Sequence, residues 1–100
     1  MDTTGYAAPP APARFNLARY CLSPVPVRPV DRVGLVVVHD AAAPAAQDER
    51  WTFGQLDRAV RQVGAGLLAA GLRPADRLLL RLGNTSDSAL LFFGAAAVGL

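Results

Sequence analysis

Residues 51–71 carry the signals of one complete helix and constrain the fold more than any other part of the chain. Thr52 and Gln55 have the spacing of a capping box, in which each side chain bonds the other residue's backbone N–H. Gly71 follows the last apolar position of the pattern and suits the left-handed conformation that ends many helices. We therefore predict a helix that begins after Thr52 and ends before Gly71.

The two sides of this helix are predicted to differ. Apolar residues recur at intervals of three and four, the spacing of a buried stripe. They are Leu56, Ala59, Val60, Val63, Leu67 and Ala70. On the opposite side, Asp57 precedes Arg61 by four residues, the order that favours an ion pair. Trp51 and Leu56 have the spacing of a hydrophobic staple, so one side of the helix is expected to pack against a core.

The N-terminal part is predicted to contribute little regular structure. Residues 1–14 are rich in Ala and Pro and are expected to form a disordered leader. Asn16 then suits the cap of a short helix. The predicted apolar face of that helix consists of Leu17, Tyr20 and Cys21. Three prolines favour an extended connector after it, namely Pro24, Pro26 and Pro29.

Two apolar runs are predicted to be strands. Residues 33–39 are rich in valine and lie between charged residues, which indicates a buried strand. Residues 77–82 are the second strand candidate, and residues 50–51 are predicted to form a short return strand before the long helix. Strands that alternate with helices favour a parallel sheet covered by helices.

A second helix is predicted over residues 87–98, with Thr85 or Ser86 as its cap. It is apolar on nearly every side, which is typical of a helix inside a large protein. One hundred residues do not supply a parallel sheet with cover on both faces. We therefore predict the α/β class, with residues 15–100 as the strand–helix–strand–helix N-terminal portion of a larger layered domain with a mostly parallel sheet. Such a segment, with its last helix uncovered, is expected to aggregate or to be poorly ordered on its own.

Composition and charge argue against several function classes. The formal net charge is +2, and all ten basic residues are scattered arginines, so no nucleic-acid partner is expected. The longest apolar run, residues 89–100, is too short to span a bilayer. No secretory signal is visible and Cys21 is the only cysteine, which together favour a cytoplasmic location.

Two glycine-containing motifs are interpreted as structural. Residues 64–69 match the letters of the dinucleotide fingerprint, but they lie inside a predicted helix instead of between a strand and a helix. We interpret these small residues as allowing close packing of the helix on a sheet. Residues 83–86 lie where phosphates often bind, but they lack the lysine and glycines of a P-loop, so helix capping is favoured.

The remaining polar candidates are also assigned structural roles. His39 is the only histidine, so a zinc site is not predicted, and we interpret it as a strand-end residue. Asp40 is adjacent to His39 and would point to the opposite face of a strand. Asp76 and Arg77 suit a structural role in the turn before a strand.

Several segments match a known family pattern in order. Residues 51–56 match an aromatic-Thr-aromatic-x-acid-Leu segment, and residues 71–78 match a Gly-Val-x-x-Gly-Asp-Arg-Val turn and strand. Asn84 and the apolar run of residues 91–99 match the turn and helix that follow. In these features the chain resembles the N-terminal subdomain of the AMP-forming adenylating enzymes, which include acyl- and aryl-CoA ligases. Residues 15–18 are similar to the opening of benzoate-CoA-ligase-like members.

Three positions depart from this family pattern. Gln55 stands in place of the usual Glu, Ala75 in place of Gly, and Gly83 in place of Pro. Ala75 is expected to make its turn stiffer. None of these differences removes a catalytic group.

The resemblance implies an enzyme in full-length form, an ATP-dependent carboxylic acid–CoA ligase that forms an acyl-adenylate and then a thioester. The family's phosphate loop and its lysines are missing, since the chain has no lysine. No catalytic, cofactor-binding or metal-binding residue is therefore assigned, and the segment is expected to be an inactive scaffold. ATP, Mg²⁺ and coenzyme A are implied for the full-length protein only. The expected partners are the rest of its own domain and the carboxylic acid substrate.

Two other hypotheses stay open on the sequence. The first is a non-enzymatic interaction module that docks through its apolar C-terminal helix. The second is a small nucleotide-binding domain, for which the sequence offers only the weak motifs above.

Overall fold

The computed structural model describes residue 10, residues 12–22 and residues 29–100. Most of the predicted leader and the prolines Pro24 and Pro26 lie outside the described residues. The elements are α1 (Leu17–Leu22), β1 (Val33–Val37), a 3₁₀ turn (Ala45–Gln47), β2 (Glu49–Thr52), α2 (Phe53–Ala69) and α3 (Ser86–Ala97). This mixture of helix and strand confirms the predicted α/β class.

The two strands form an antiparallel hairpin. Val33 lies opposite Thr52 and Val37 lies opposite Glu49, with a shift of register between Val33 and Leu35. The return strand is therefore confirmed and is longer than predicted. The prediction that residues 33–39 form a buried strand is wrong in two respects, because β1 ends at Val37 and Val37 is its only buried residue.

Residues 77–82 do not form the second predicted strand. A strand needs a hydrogen-bonded neighbour, and these residues make no backbone hydrogen bond to another segment within the described ranges. Their side chains still alternate, since Leu78 and Leu80 are half-buried while Leu79 is 92% exposed. The hairpin is the only sheet in the part of the chain that the structure describes. Parallel pairing, which needs further strands, stays a prediction.

Helix α2 has the predicted start and end, and its predicted stripe faces the core except at Ala70, which is exposed. The Thr52 N–H donates to Gln55 Oε1 at 2.8 Å, and the Gln55 N–H donates to Thr52 Oγ1 at 3.2 Å. Gly71, just beyond the helix, has a φ of +102°. The buried residues of α2 are Leu56, Val60 and Gly64. On its exposed side Arg61 Nε donates to Asp57 Oδ2 at 3.1 Å, which confirms the predicted ion pair.

Helix α1 has the predicted cap but buries a different face. The Arg19 N–H donates to Asn16 Oδ1 at 3.1 Å, as expected for a cap. Its buried residues are Ala18 and Leu22. The predicted face is wrong at Leu17 and Tyr20, which are exposed, whereas Cys21 is half-buried and packs against the core. Ala18 and Leu22 pack in one cluster with Leu56, Val60 and Leu90 of the other two helices. Asn16 Nδ2 also donates to the Ala97 carbonyl at 2.8 Å, which joins the start of α1 to the end of α3.

The core lies where α1, α2 and α3 meet. Its buried residues are Ala18, Leu22, Leu56, Val60 and Leu90, and Trp51 packs against them. Helices α2 and α3 come closest at two glycines, because a Cβ on Gly94 would lie 2.5 Å from Val63 Cγ1 and one on Gly64 would lie 3.2 Å from the Gly94 carbonyl oxygen. Gly64 therefore allows packing of helix on helix, whereas Ala65, Gly66 and Ala69 are exposed, and the predicted packing on a sheet is wrong.

Helix α3 begins one residue earlier than predicted and is apolar on its exposed side as well. Leu90, Gly94 and Ala95 are buried. Phe92 is 53% exposed and stacks edge-on against Phe93 with ring centres 5.2 Å apart. Among the described residues, no helix is both long and apolar enough to cross a bilayer.

Candidate functional site

Polar side chains from three segments converge on Glu49 at the loop end of the hairpin. Trp51 Nε1 donates to Glu49 Oε1 at 2.6 Å, and His39 Nε2 lies 3.0 Å from Glu49 Oε2. The Ser86 side chain, at the first position of α3, hydrogen-bonds to the same carboxylate. The bonds from Trp51, Ser86 and His39 lower the pKa of Glu49 below its ordinary value of 4.5, because each stabilises the charged form.

This arrangement suits a structural link better than acid–base chemistry. A carboxylate whose pKa lies below 4.5 stays ionised at neutral pH and is poorly matched to proton transfer there. Glu49 instead joins β2 to His39, two residues beyond β1, and to the start of α3. His39 lies just beyond β1, in agreement with its interpretation as a strand-end residue. Glu49 was not identified as a candidate residue from the sequence. The signal that could have indicated its contact with His39 is that the acid and the histidine stand on either side of a hairpin loop.

The turn before α3 lines an open groove. Asn84, Thr85 and Ser88 face β1 across a volume of about 460 Å³, with Val36 and Phe92 as apolar walls. Thr85 occupies the cap position of α3, but its side chain makes no cap hydrogen bond. The predicted side-chain capping is therefore not observed at Thr85. The Ser86 side chain does not cap the helix and instead interacts with the Glu49 carboxylate.

The turn at Asp76 has the predicted structural role. Asp76 Oδ2 accepts the Arg73 N–H at 2.8 Å and closes the turn. Ala75 has a φ of +71°, in the left-handed region that favours glycine. Its N–H donates to the Gly99 carbonyl at 2.8 Å, which ties this turn to the end of α3. The departure from the family pattern at Ala75 therefore falls on a strained backbone position.

The other sequence motifs do not come together as a site. Residues 64–69 lie inside α2, so they form no phosphate-binding loop at a helix start. Cys21 is a half-buried free thiol. Within the described ranges, no three or more His, Cys, Asp or Glu side chains gather in a way that would hold a metal ion.

Comparisons with known proteins give the family. Residues 29–100 match the family model described as AMP-binding enzyme. The chain is 44% identical over 50 residues to acyl-CoA ligase SID4 of Ajellomyces capsulatus, which covers 50% of this chain and 8% of that protein. It is 33% identical over 89 residues to the mitochondrial medium-chain acyl-CoA ligase ACSF2 of Danio rerio, which covers 89% of this chain and 14% of that protein.

These matches fit the resemblance found in the sequence, although the chain spans only 8% to 14% of the length of these relatives. No solved structure matches the chain significantly. The family model covers well over half of the chain and includes the capped helix α2, the turn at Asp76 and helix α3. The chain therefore belongs to the AMP-binding enzymes, the superfamily of AMP-forming adenylating enzymes.

Proposed function

We propose that this chain is a scaffold segment of an ATP-dependent, AMP-forming carboxylic acid–CoA ligase. The observation that carries the proposal is the family match over residues 29–100, together with relatives named acyl-CoA ligases. In the complete enzyme, a substrate carboxylate would attack the α-phosphorus of ATP and release pyrophosphate. The thiol of coenzyme A would then attack the acyl carbon of the adenylate, release AMP and form the thioester.

The side chains of the segment support a scaffold role. Lysine is missing from the sequence, and three of its carboxylates are engaged in structural contacts, at Glu49, Asp57 and Asp76. Stabilising the charge on a transferring phosphoryl group requires cations or a metal placed around it. The described acidic residues form no metal-binding group. We therefore propose that ATP, Mg²⁺ and coenzyme A bind to the complete enzyme and that the segment alone is inactive.

The exposed apolar surface supports the proposal that residues 15–100 belong to a larger domain. Leu79 is 92% exposed and Phe92 is 53% exposed, which is unfavourable for large apolar side chains in water. In the proposal, the rest of the same domain packs over this surface. The single free thiol, Cys21, is compatible with a cytoplasmic protein, which we propose as the location.

The same exposed surface favours one alternative function. In that alternative, α3 and Phe92 dock on a separate protein and the chain has no enzymatic role. The two proposals differ in what covers α3 and in whether the complete protein catalyses thioester formation. An assay of thioester formation therefore separates them.

The test is acid-dependent formation of a CoA thioester by the complete protein that contains these residues. With ATP, Mg²⁺, coenzyme A and a panel of aliphatic and aromatic acids, we expect AMP and thioester to appear in equal amounts. The 100-residue chain is the matched control and should form neither product. A complete protein that forms no thioester with any acid, but binds another protein through α3, would support the alternative.

A further inference from the structure

The segment of residues 77–82 has two different sides. On one side, Leu78 and Leu80 are half-buried and face Phe92 of α3 across a groove. The other side is exposed and consists of Arg77, Leu79 and Arg81, which we call the Arg–Leu–Arg face. Within the described ranges, no large apolar side chain is more exposed than that of Leu79.

The Arg–Leu–Arg face has no partner in the part of the chain that the structure describes. Neither of its arginines makes an ion pair or a side-chain hydrogen bond there. The backbone of residues 77–82 makes no hydrogen bond to another described segment. Both flanks are nevertheless held, because the Asp76 carboxylate accepts the Arg73 N–H at 2.8 Å before the segment and α3 begins shortly after it. The face is therefore kept in place while its two positive charges have no counter-charge.

Any element that covers Leu79 also reaches the two arginines beside it. Each arginine is two residues from Leu79, about 7 Å along an extended chain, and the two arginines are about 13 Å apart. A positive charge that is moved out of water is unfavourable unless a carboxylate pairs with it. We therefore expect the cover to present an apolar side chain between two carboxylates. Two turns of a helix rise about 11 Å, so a single helix can present both.

The charge pattern of the face points to one kind of occupant. Two arginines separated by a leucine are not the basic cluster that a nucleic acid requires, and the formal net charge of the chain is only +2. Helix α3 already lies on the opposite side of the segment, and helices are the usual cover for the open side of such a layer. Resting on the proposed function, in which these residues belong to a larger domain, we propose that an amphipathic helix from the remainder of that domain packs on the Arg–Leu–Arg face. It places one carboxylate at Arg77, one at Arg81 and an apolar side chain on Leu79.

The test uses the lack of lysine in these 100 residues and is made on the complete protein that contains them. R77K and R81K each place an amine on the Arg–Leu–Arg face and keep its positive charge. A carbodiimide activates a carboxylate, and an amine in contact with it then displaces the urea and forms an amide. We expect peptide mass spectrometry to find each introduced amine joined to an aspartate or glutamate of the same chain outside residues 1–100. The two coupled carboxylates should be about seven or eight residues apart, as on one side of a helix.

Two further variants of the complete protein serve as control and as second measurement. R58K is the matched control, because Arg58 is also exposed and has no ion pair among the described residues but lies on α2, and it should not couple to the same carboxylates. L79C tests the centre of the face. A maleimide should label that thiol much more slowly in the native protein than after unfolding in urea.

Several outcomes would overturn the inference. They are failure of R77K and R81K to couple outside residues 1–100, coupling of R58K to the same carboxylates, and equally fast labelling of L79C before and after unfolding. Coupling to a second polypeptide would overturn the same domain as the occupant. The thioester assay on the same preparations separates the two proposals: thioester formation without coupling contradicts only the helix on this face, and coupling without thioester formation contradicts only the ligase activity.

Discussion

Replacement of Gly94 by alanine is the sharpest test of how α2 and α3 pack. The added Cβ would lie 2.5 Å from Val63 Cγ1, 2.8 Å from Val63 Cβ and 3.3 Å from the Gly64 nitrogen. Valine has a stiff χ1, and its Cβ moves only with the backbone of α2. The clash is therefore relieved only if the two helices separate.

The expected change in the free energy of unfolding of Gly94→Ala is the balance of two opposing effects. Overpacking of a tight contact costs about 1–3 kcal/mol, while alanine improves on glycine inside a helix by about 1 kcal/mol. We expect Gly94→Ala to lower the free energy of unfolding by about 1 kcal/mol. Gly66→Ala is the matched control, because a Cβ there meets nothing within 4 Å, and it should raise the stability by about 1 kcal/mol.

The assay is urea titration in dilute solution, followed by the helix signal in circular dichroism and by the fluorescence of Trp51, the only tryptophan. The midpoint should fall for Gly94→Ala and rise for Gly66→Ala. Equal increases in both variants would refute the close approach of α2 and α3 at Gly94.

Four further predictions follow from the structure. The pKa of Glu49 is lowered in the folded chain, so its contribution to stability is present above the ordinary value of 4.5 and is lost as the pH falls through the lower folded value. Glu49→Gln should therefore remove this loss of stability in acid, measured as the urea concentration at the midpoint of unfolding. Thr52→Ala should cost about 1 kcal/mol in the same titration, whereas Thr85→Ala should cost little because Thr85 makes no cap bond. Ala75→Gly should stabilise the chain by up to about 1 kcal/mol, as glycine tolerates a φ of +71°, and a lower midpoint would contradict this. At concentrations well above those of the dilute urea titrations, the chain alone should elute in size-exclusion chromatography as aggregates, because Leu79 and Phe92 are exposed, and a monomer at those concentrations would refute this.

Features that depend on neighbouring residues were predictable from the sequence. The Thr52–Gln55 capping box and the Asp57–Arg61 ion pair each lie within one turn of helix, and both are present. Asn16 as the cap of α1 has the same local origin. Each of these bonds joins residues three or four positions apart, so it can be predicted without information about distant segments.

Features that depend on distant residues were not predictable. The buried face of α1 consists of Ala18 and Leu22, which pack against residues of α2 and α3, and Asn16 bonds Ala97, which is 81 residues away. Gly64 indicated a close approach, but its spacing does not say whether a helix or a sheet packs there. Residues 77–82 have the alternation of a strand, yet a strand also requires a partner. The carboxylate of Glu49 was missed because it joins His39 and Ser86 from separate parts of the chain.

The most direct test of the scaffold proposal is complementation of ligase activity in trans. The complete protein would be expressed without residues 15–100, and acid-dependent exchange of pyrophosphate into ATP would be measured with and without the separately prepared segment. We expect no exchange by either part alone and measurable exchange after the two are refolded together. Exchange by the segment alone, or undiminished exchange by the protein that lacks it, would refute the scaffold role.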